Sequence, residues 1–153
     1  MPSSNQPALL NPLLVGVASA LGSIIIQGLV VRAIIAAVRR DMKRGRLAVR
    51  FFTDFAFIAA ATILALVGHL AEIGIWALVF EFCGEFSDFA TAFYHSAVNF
   101  TTLGYGDVVM SAQWKLLGPL EAADGMLMFG VTTALIFAVI QRLVQTRLGV
   151  AER

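Results

Sequence analysis

The sequence is poor in charge and in cysteine, and both shortages restrict what the chain can be. Asp, Glu, Lys and Arg make up 14% of its 153 residues, whereas 59% are hydrophobic, and the mean hydropathy is +0.83. A soluble domain carries about a quarter charged residues, so this composition indicates a chain that lies in lipid. The single cysteine, Cys83, excludes a disulfide within the chain. We expect a free thiol near the membrane surface, the alternative being a bond between subunits.

Motifs for catalysis and for voltage sensing are also missing. The sequence has no cluster of Cys and His at metal-ligand spacing and no phosphate-binding loop. The first apolar run offers only Arg32, whereas a voltage sensor needs several arginines along one membrane helix. The first residues lack the Lys and Arg of a cleaved signal, so we expect this run to be retained. We predict no enzyme activity, no cofactor and no soluble regulatory domain in this chain.

Three apolar stretches are long enough to cross a membrane, since about 20 apolar residues span the hydrocarbon layer as a helix. They cover residues 13–31, 55–80 and 116–140, and Trp76 near the end of the second suits the interfacial aromatic belt. A fourth apolar run, residues 89–100, is too short to cross and is typical of a re-entrant helix. The sequence therefore predicts an all-α membrane protein with three transmembrane helices and one re-entrant helix.

Lys and Arg are concentrated between the first two stretches, from Arg39 to Arg50. A short basic loop between membrane helices belongs on the cytoplasmic side, and this position argues against nucleic-acid binding. We predict a multi-pass protein of a cell membrane, prokaryotic from its brevity, with its N-terminus outside and its C-terminus in the cytoplasm. The predicted divisions are an N-terminal transmembrane helix at 1–40, a basic cytoplasmic loop at 41–50, a pore domain at 51–145 and a cytoplasmic tail at 146–153.

A glycine-rich segment, Thr101 to Asp107, follows the predicted re-entrant helix. Non-helical backbone at membrane depth is tolerated only where it is buried in protein or lines a water-filled path. Gly104 and Gly106 permit backbone angles that are closed to other residues, so successive carbonyls can turn to one side. Four copies around an axis would form rings of oxygen that replace the water shell of a cation. Such a site requires an oligomer with rotational symmetry.

The sequence Thr102-Leu-Gly-Tyr-Gly-Asp107 resembles the potassium-channel signature Thr-Val-Gly-Tyr-Gly-Asp, which is itself the standard example of a carbonyl-lined filter. The predicted outer helix, turret, pore helix, filter and inner helix follow in the order found in bacterial potassium channels. Trp114 and the segment Phe129-Gly-Val-Thr-Thr133 are similar as well. The resemblance implies a homotetramer in the lipid bilayer that conducts potassium passively. A weakly selective cation channel and a non-conducting membrane assembly subunit remain alternatives.

The resemblance also implies roles for individual residues of the filter. Potassium is expected at the carbonyls of Thr102, Leu103, Gly104 and Tyr105, with Gly106 completing the filter. Support is expected from Thr101, Asp107, His95 and Val98. Val98 stands where some bacterial channels carry a glutamate. His95 falls where an aromatic residue often hydrogen-bonds the filter's Asp, and the alternative for it is a histidine wetted by the outer vestibule.

The third stretch supplies the candidates for the cavity and gate implied by the resemblance, with Gly125 at the position of a gating hinge. For the two glycines the alternative is close helix packing, and for the larger residues it is ordinary packing on the other helix faces. The candidates are Gly125, Phe129, Gly130, Thr133, Phe137 and Ile140.

Four titratable residues lie within the predicted spans: His69 and Glu72 in the second, Glu121 and Asp124 in the third. Each pair is three residues apart and shares a helix face. Isolated charges at such depth are costly, so we predict a hydrogen-bonded cluster behind the filter in which His69 or Glu72 meets Glu121 or Asp124. At least one carboxyl is expected to hold its proton. The alternative is that Glu72 and Glu121 reach the outer interface.

Overall fold

The computed structural model describes residues 9–44, 51–147 and 149, and these form four α-helices with no β-strand among the residues described. The helices are α1 (Leu10–Lys43), α2 (Phe51–Phe82), α3 (Phe89–Phe100) and α4 (Leu117–Arg147). Three of them, α1, α2 and α4, are long and apolar enough to cross a membrane. The predicted all-α fold with three membrane-spanning helices and a short fourth helix is therefore confirmed.

The spanning helices extend past the apolar stretches that predicted them. Helix α1 continues through Arg32 and Arg39 to Lys43, and α4 continues to Arg147. Arg and Lys are good helix formers, so the change from apolar to basic sequence does not end a helix. Residues 45–50 of the predicted basic loop, Met1, and residues 148 and 150–153 of the predicted tail lie outside the described residues.

Two compact units share these helices. The first, which we call the filter unit, comprises the described part of residues 1–25 together with Leu70–Met128. The second, which we call the lower unit as a label only, comprises Ile26–His69 and the described residues from Phe129 onward. Helices α1, α2 and α4 each contribute to both units, whereas α3 belongs to the filter unit alone.

Aromatic side chains dominate the core of the filter unit. Trp76 and Phe80 from α2 and Phe100 from α3 are fully buried there, and Ile73, Leu117 and Met128 complete the buried cluster. Lipid tails are as apolar as these side chains, so the packing of their surfaces and hydrogen bonds, rather than removal from water, holds such helices together. The core thus fixes α3 against α2 and α4.

Small and branched side chains form the core of the lower unit, where α1 packs with α2 and α4. Its buried members are Val30, Ile34, Ala61, Ala65, Val139 and Leu143. Gly68 on α2 allows a close approach to α1, because a Cβ there would lie 2.7 Å from Cγ2 of Val30. Small residues at helix contacts are typical of membrane proteins. Helix α1 is therefore packed into the core of the lower unit.

Candidate functional site

Helix α3 is a short helix with a clear start and a tied end. Asp88 caps its N-terminus, where its carboxylate accepts from the Thr91 backbone N–H at 2.9 Å. At the other end the Thr101 hydroxyl donates to the carbonyl of Ala97 at 2.7 Å. The Val98 carbonyl accepts from the N–H groups of Leu103 and Gly104, at 2.9 and 3.2 Å. Val98 therefore contacts the glycine-rich segment through its backbone carbonyl rather than through its side chain.

The backbone of residues 102–106 alternates in handedness. Thr102, Gly104 and Gly106 have φ angles of 61°, 60° and 73°, whereas Leu103 and Tyr105 are not among the residues with positive φ. Positive φ is easy for glycine but costs a residue with a side chain about 1–3 kcal/mol, and Thr102 is the one such residue in the described part of the chain. In an extended strand carbonyls point alternately to opposite sides. Alternating handedness is the pattern that can direct them all to one side.

Every residue from Thr101 to Asp107 is exposed in the single chain. The side chain of Leu103 is 54% exposed and that of Tyr105 is 67% exposed. Among the described backbone groups of the segment, the N–H groups of Thr101 to Gly104 bond back to carbonyls of α3, so most of its peptide groups require partners outside the chain or water. Non-helical backbone with unpaired polar groups is excluded from contact with lipid.

Three side chains anchor the loop that follows the glycine-rich segment. The Tyr94 hydroxyl donates to Asp107 at 2.8 Å, and His95 Nδ1 lies 3.0 Å from the carbonyl of Val108. Farther along, the carboxylate of Glu85 accepts from both the backbone N–H and the hydroxyl of Ser111, at 2.5 and 2.6 Å. The loop is thus held to α3 at two points and to the turn before α3 at a third.

The hydrogen bond expected between His95 and Asp107 is made by Tyr94 instead. His95 is only 6% exposed, and its ring packs against those of Phe80 and Phe86. Neighbouring residues point about 100° apart around a helix, so Tyr94 rather than His95 faces the Asp107 carboxylate. Burial lowers the pKa of His95 from its ordinary value, and the Tyr94 hydrogen bond lowers that of Asp107. The alternative of a wetted histidine does not fit this burial.

The contacts of His95 determine the position of its proton. The Val108 carbonyl can only accept, so Nδ1 carries the hydrogen and donates to it. The other ring nitrogen, Nε2, then accepts from the Asn99 side-chain amide at 2.8 Å. Tyr94 and Glu85 were missed as site residues, and Asn99 was not foreseen as a partner of His95. The signal for Tyr94 is its position next to His95 on α3, whereas Glu85 lies before α3 and no local pattern links it to Ser111.

The four titratable residues of the predicted cluster are all buried. Exposure is 5% for His69, 4% for Asp124 and zero for Glu72 and Glu121, so the alternative that the glutamates reach the outer interface does not hold within this chain. Asp124 accepts from the indole N–H of Trp76 at 3.0 Å, and Glu121 lies 2.5 Å from the hydroxyl of Ser96. A direct bond from His69 or Glu72 to either acid stays a prediction.

Trp76 and Ser96 were not foreseen as partners of the acids. Trp76 was predicted to lie in the interfacial belt, but its side chain is fully buried and uses its N–H within the core. A buried indole needs an acceptor, which is the signal that links it to an acid on another helix.

In the lower unit, His69 Nε2 lies 3.0 Å from the Thr132 hydroxyl, which also accepts from Gln27 at 2.7 Å.

The candidates for cavity and gate fall into two groups. Gly125 is buried against Phe100, the last residue of α3, whereas the other five are exposed in the single chain. At 3.6 residues per turn these five lie within about 100° of one another on α4: they are Phe129, Gly130, Thr133, Phe137 and Ile140. Phe129 also contacts the His69 ring, at 4.6 Å between ring centroids. These five residues therefore share one face of α4 in the lower unit, which we call the open face; Val131, Ala134 and Ala138, farther around the helix, are exposed in the single chain as well.

Comparison with known protein families gives a match over part of the chain. Residues 68–142 match a family model described as an ion channel, a stretch that covers the second half of α2, all of α3, the glycine-rich segment and most of α4. No curated protein and no solved structure matches the chain. The match indicates an ion-channel subunit of the membrane.

Proposed function

We propose that the chain is one subunit of a homotetrameric, potassium-selective channel, with residues 102–106 as one quarter of its selectivity filter. The carbonyls of Thr102, Leu103, Gly104 and Tyr105 would bind dehydrated potassium on the four-fold axis, joined by the Thr102 hydroxyl. Thr101, Val98, His95 and Asp107 support this segment. The open face of α4, from Phe129 to Ile140, would line the cavity. No part of this function calls for enzyme activity.

The observation that carries the proposal is the alternating handedness of residues 102–106. It falls on the residues that resemble the potassium-channel signature, and it includes Thr102, where positive φ is costly. Backbone strain of this kind is concentrated at functional sites of proteins. A row of carbonyls turned to one side can replace the hydration shell of a monovalent cation.

The exposure of the filter segment supports a tetramer. Its backbone is uncovered in one chain, and uncovered backbone is excluded from lipid. Three further copies around an axis would cover it and would place the open face of α4 around a central path. The same arrangement supplies four sets of carbonyls, without which no ion is enclosed.

Orientation follows from the positions of the basic residues. We propose that Arg39, Arg40 and Lys43, in the last two turns of α1, lie on the cytoplasmic side together with Arg142 near the end of α4. The filter then faces the outside. Labelling of a cysteine introduced at Arg44 in a Cys83→Ser background tests this; reaction with an impermeant reagent on intact cells would reverse the orientation.

Flux from purified protein in liposomes tests the function. Potassium or thallium flux that greatly exceeds sodium flux is expected from a species whose mass is that of four chains. Equal sodium and potassium flux would favour the weakly selective cation channel. A stable oligomer without flux of either ion would favour the assembly subunit.

A further inference from the structure

The hydroxyl of Ser96 joins three helices. This residue lies on α3, and its Oγ is 2.8 Å from the carbonyl oxygen of Ile73 on α2 and 2.5 Å from Oε1 of Glu121 on α4. Ser96 and Glu121 are both completely buried. All of these atoms belong to the filter unit.

Hydrogen counting assigns a proton to this site. Both oxygen–oxygen distances are those of hydrogen bonds, so two hydrogens are needed among three oxygens. The Ser96 hydroxyl supplies one and the Ile73 carbonyl supplies none. The second hydrogen must come from Glu121, whose carboxyl then donates to Ser96 Oγ while Ser96 donates to Ile73.

The surroundings of Glu121 agree with a neutral carboxyl. Its second oxygen, Oε2, has no hydrogen-bond partner among the described residues, although the Asn99 amide lies beside the carboxyl at longer range. A bare, ionised oxygen in a buried site is far more costly than the carbonyl oxygen of a neutral acid. Asp124, one turn along α4, is a second buried acid of the filter unit. Asp124 itself accepts from Trp76 and needs no proton to do so.

We propose that Glu121 is held neutral and is a positioning residue for the filter, because its proton completes a hydrogen-bonded bridge from α4 through Ser96 on α3 to α2. This inference rests on the proposed function for its effect on selectivity but not for the proton itself.

A chain of contacts connects the bridge with the outer end of the filter. Asn99 lies one helical turn after Ser96 and donates to His95, which donates to the Val108 carbonyl. Val108 directly follows Asp107, the last residue of the signature. A shift of α3 caused by loss of the bridge would therefore move the end of the filter. In this series of hydrogen bonds Glu121 does not bond to a filter residue itself, so its effect on the filter is transmitted through α3.

Infrared difference spectroscopy of the purified oligomer tests the proton. The wild-type spectrum minus that of Glu121→Gln should contain the carbonyl stretch of a protonated carboxyl, and Ser96→Ala should shift that band. A difference spectrum with carboxylate bands in place of the acid band would overturn the proposal. This measurement needs no ion flux, so it decides the protonation state even if the chain conducts nothing.

Selectivity of flux in liposomes tests the positioning role. Gln, like a neutral Glu, offers a donor group beside a carbonyl acceptor, so Glu121→Gln should keep the ratio of potassium to sodium flux within about twofold. Glu121→Met has a similar volume without polar atoms and should lower the ratio by about fivefold or more, the factor that corresponds to loss of one buried hydrogen bond. Thr132→Val, which removes a buried hydroxyl from α4 in the lower unit, is the matched control and should leave the ratio unchanged.

Two results would contradict the positioning role. If Glu121→Gln lowers the ratio as much as Glu121→Met, the charge of Glu121 matters and the neutral bridge is wrong. If neither variant changes it, the bridge does not position the filter. Should Glu121→Met fail to assemble, Glu121→Gln and Ser96→Ala still decide between these results. Absence of selective flux from the wild type would instead count against the proposed function.

Discussion

Gly125 lies directly against the backbone carbonyl of Phe100, the residue with which α3 ends. A Cβ at position 125 would overlap the Phe100 oxygen and would sit 2.9 Å from its carbonyl carbon. Because the atoms in the way belong to the backbone of Phe100, they cannot move aside as the end of a flexible side chain could. Glycine at this position is therefore required by packing in the filter unit, which was the alternative to a gating hinge.

Replacement of Gly125 should destabilise the assembled protein. We expect Gly125→Ala to lower the free energy of unfolding by about 1–3 kcal/mol or more, the range typical of an overpacked core. This loss is expected even though alanine is the better helix former. The measurement is the thermal midpoint of the purified oligomer in detergent. Gly130→Ala is the matched control, because nothing lies within 4 Å of a Cβ there, and it should be neutral or stabilising. Equal stability of Gly125→Ala and the wild type would refute the packing argument.

Backbone conformation at Gly104 should be essential for selective flux. Gly104 has a φ of 60°, and alanine in that conformation costs about 1–2 kcal/mol, so Gly104→Ala should relax the segment toward ordinary angles and turn its carbonyl away. We expect the ratio of potassium to sodium flux to fall about tenfold or more, the factor that corresponds to 1.4 kcal/mol. Gly84→Ala imposes the same strain at φ 76° in the turn before α3, and it should leave the flux ratio unchanged. If both variants kept the wild-type ratio, residues 102–106 would not form the filter.

The sequence predicted the helices and the glycine-rich segment because their signals are local. Long apolar runs give membrane helices, and two glycines one residue apart give positive φ. Partners of the buried acids were not predictable in the same way, because a helix face shows that Asp124 must turn inward but not which residue of another helix meets it. Trp76 and Ser96 come near the acids only through the packing of α2 and α3. His95 was assigned to Asp107 from a resemblance in position, and the rotation of α3 gave that bond to Tyr94.

Acidity of Asp107 should depend on Tyr94. The Tyr94 hydrogen bond is the main cause that lowers the pKa of Asp107 from its ordinary value of 3.8, and it favours the ionised form. The stability that the bond provides is thus complete above pH 3.8 and is lost as the pH falls through the lower pKa of the folded state. Tyr94→Phe should return the pKa of Asp107 toward 3.8, as measured by carbon NMR of labelled aspartates.

Asp88 provides an internal control in the same spectra. Its pKa is lowered mainly by the backbone N–H of Thr91 at the start of α3, a contact that Tyr94→Phe does not touch. Its titration should therefore be unchanged. An Asp107 pKa that stays low in Tyr94→Phe would show that the hydroxyl is not the cause.

Helix α1 should depend on Thr132 for part of its attachment. The Thr132 hydroxyl accepts from Gln27 of α1 and lies 3.0 Å from His69 of α2, so it joins three helices of the lower unit. Thr132→Val keeps the shape and removes these bonds, and we expect a loss of about 0.6–2 kcal/mol, the range for hydrogen bonds between membrane helices. Thr133→Val is the adjacent control, since that exposed hydroxyl donates only one turn back to Phe129. Equal unfolding of the two variants in a denaturant titration would contradict the argument.

The pair formed by Trp76 and Asp124 predicts a difference between two substitutions of the same acid. Asn keeps an oxygen that can accept from the buried indole N–H, so Asp124→Asn should retain the stability of the oligomer. Leu removes the acceptor and leaves the N–H buried without it, which costs about 1–3 kcal/mol, so Asp124→Leu should unfold at lower denaturant. Trp76→Phe deletes the donor, and in that background Asp124→Leu should cost less, by the coupling energy of the pair. Additive losses in this double-mutant cycle would mean that the 3.0 Å contact does not stabilise the fold. A large loss in Asp124→Asn would instead show that the charge of Asp124 is required, as the predicted electrostatic cluster with His69 or Glu72 demands.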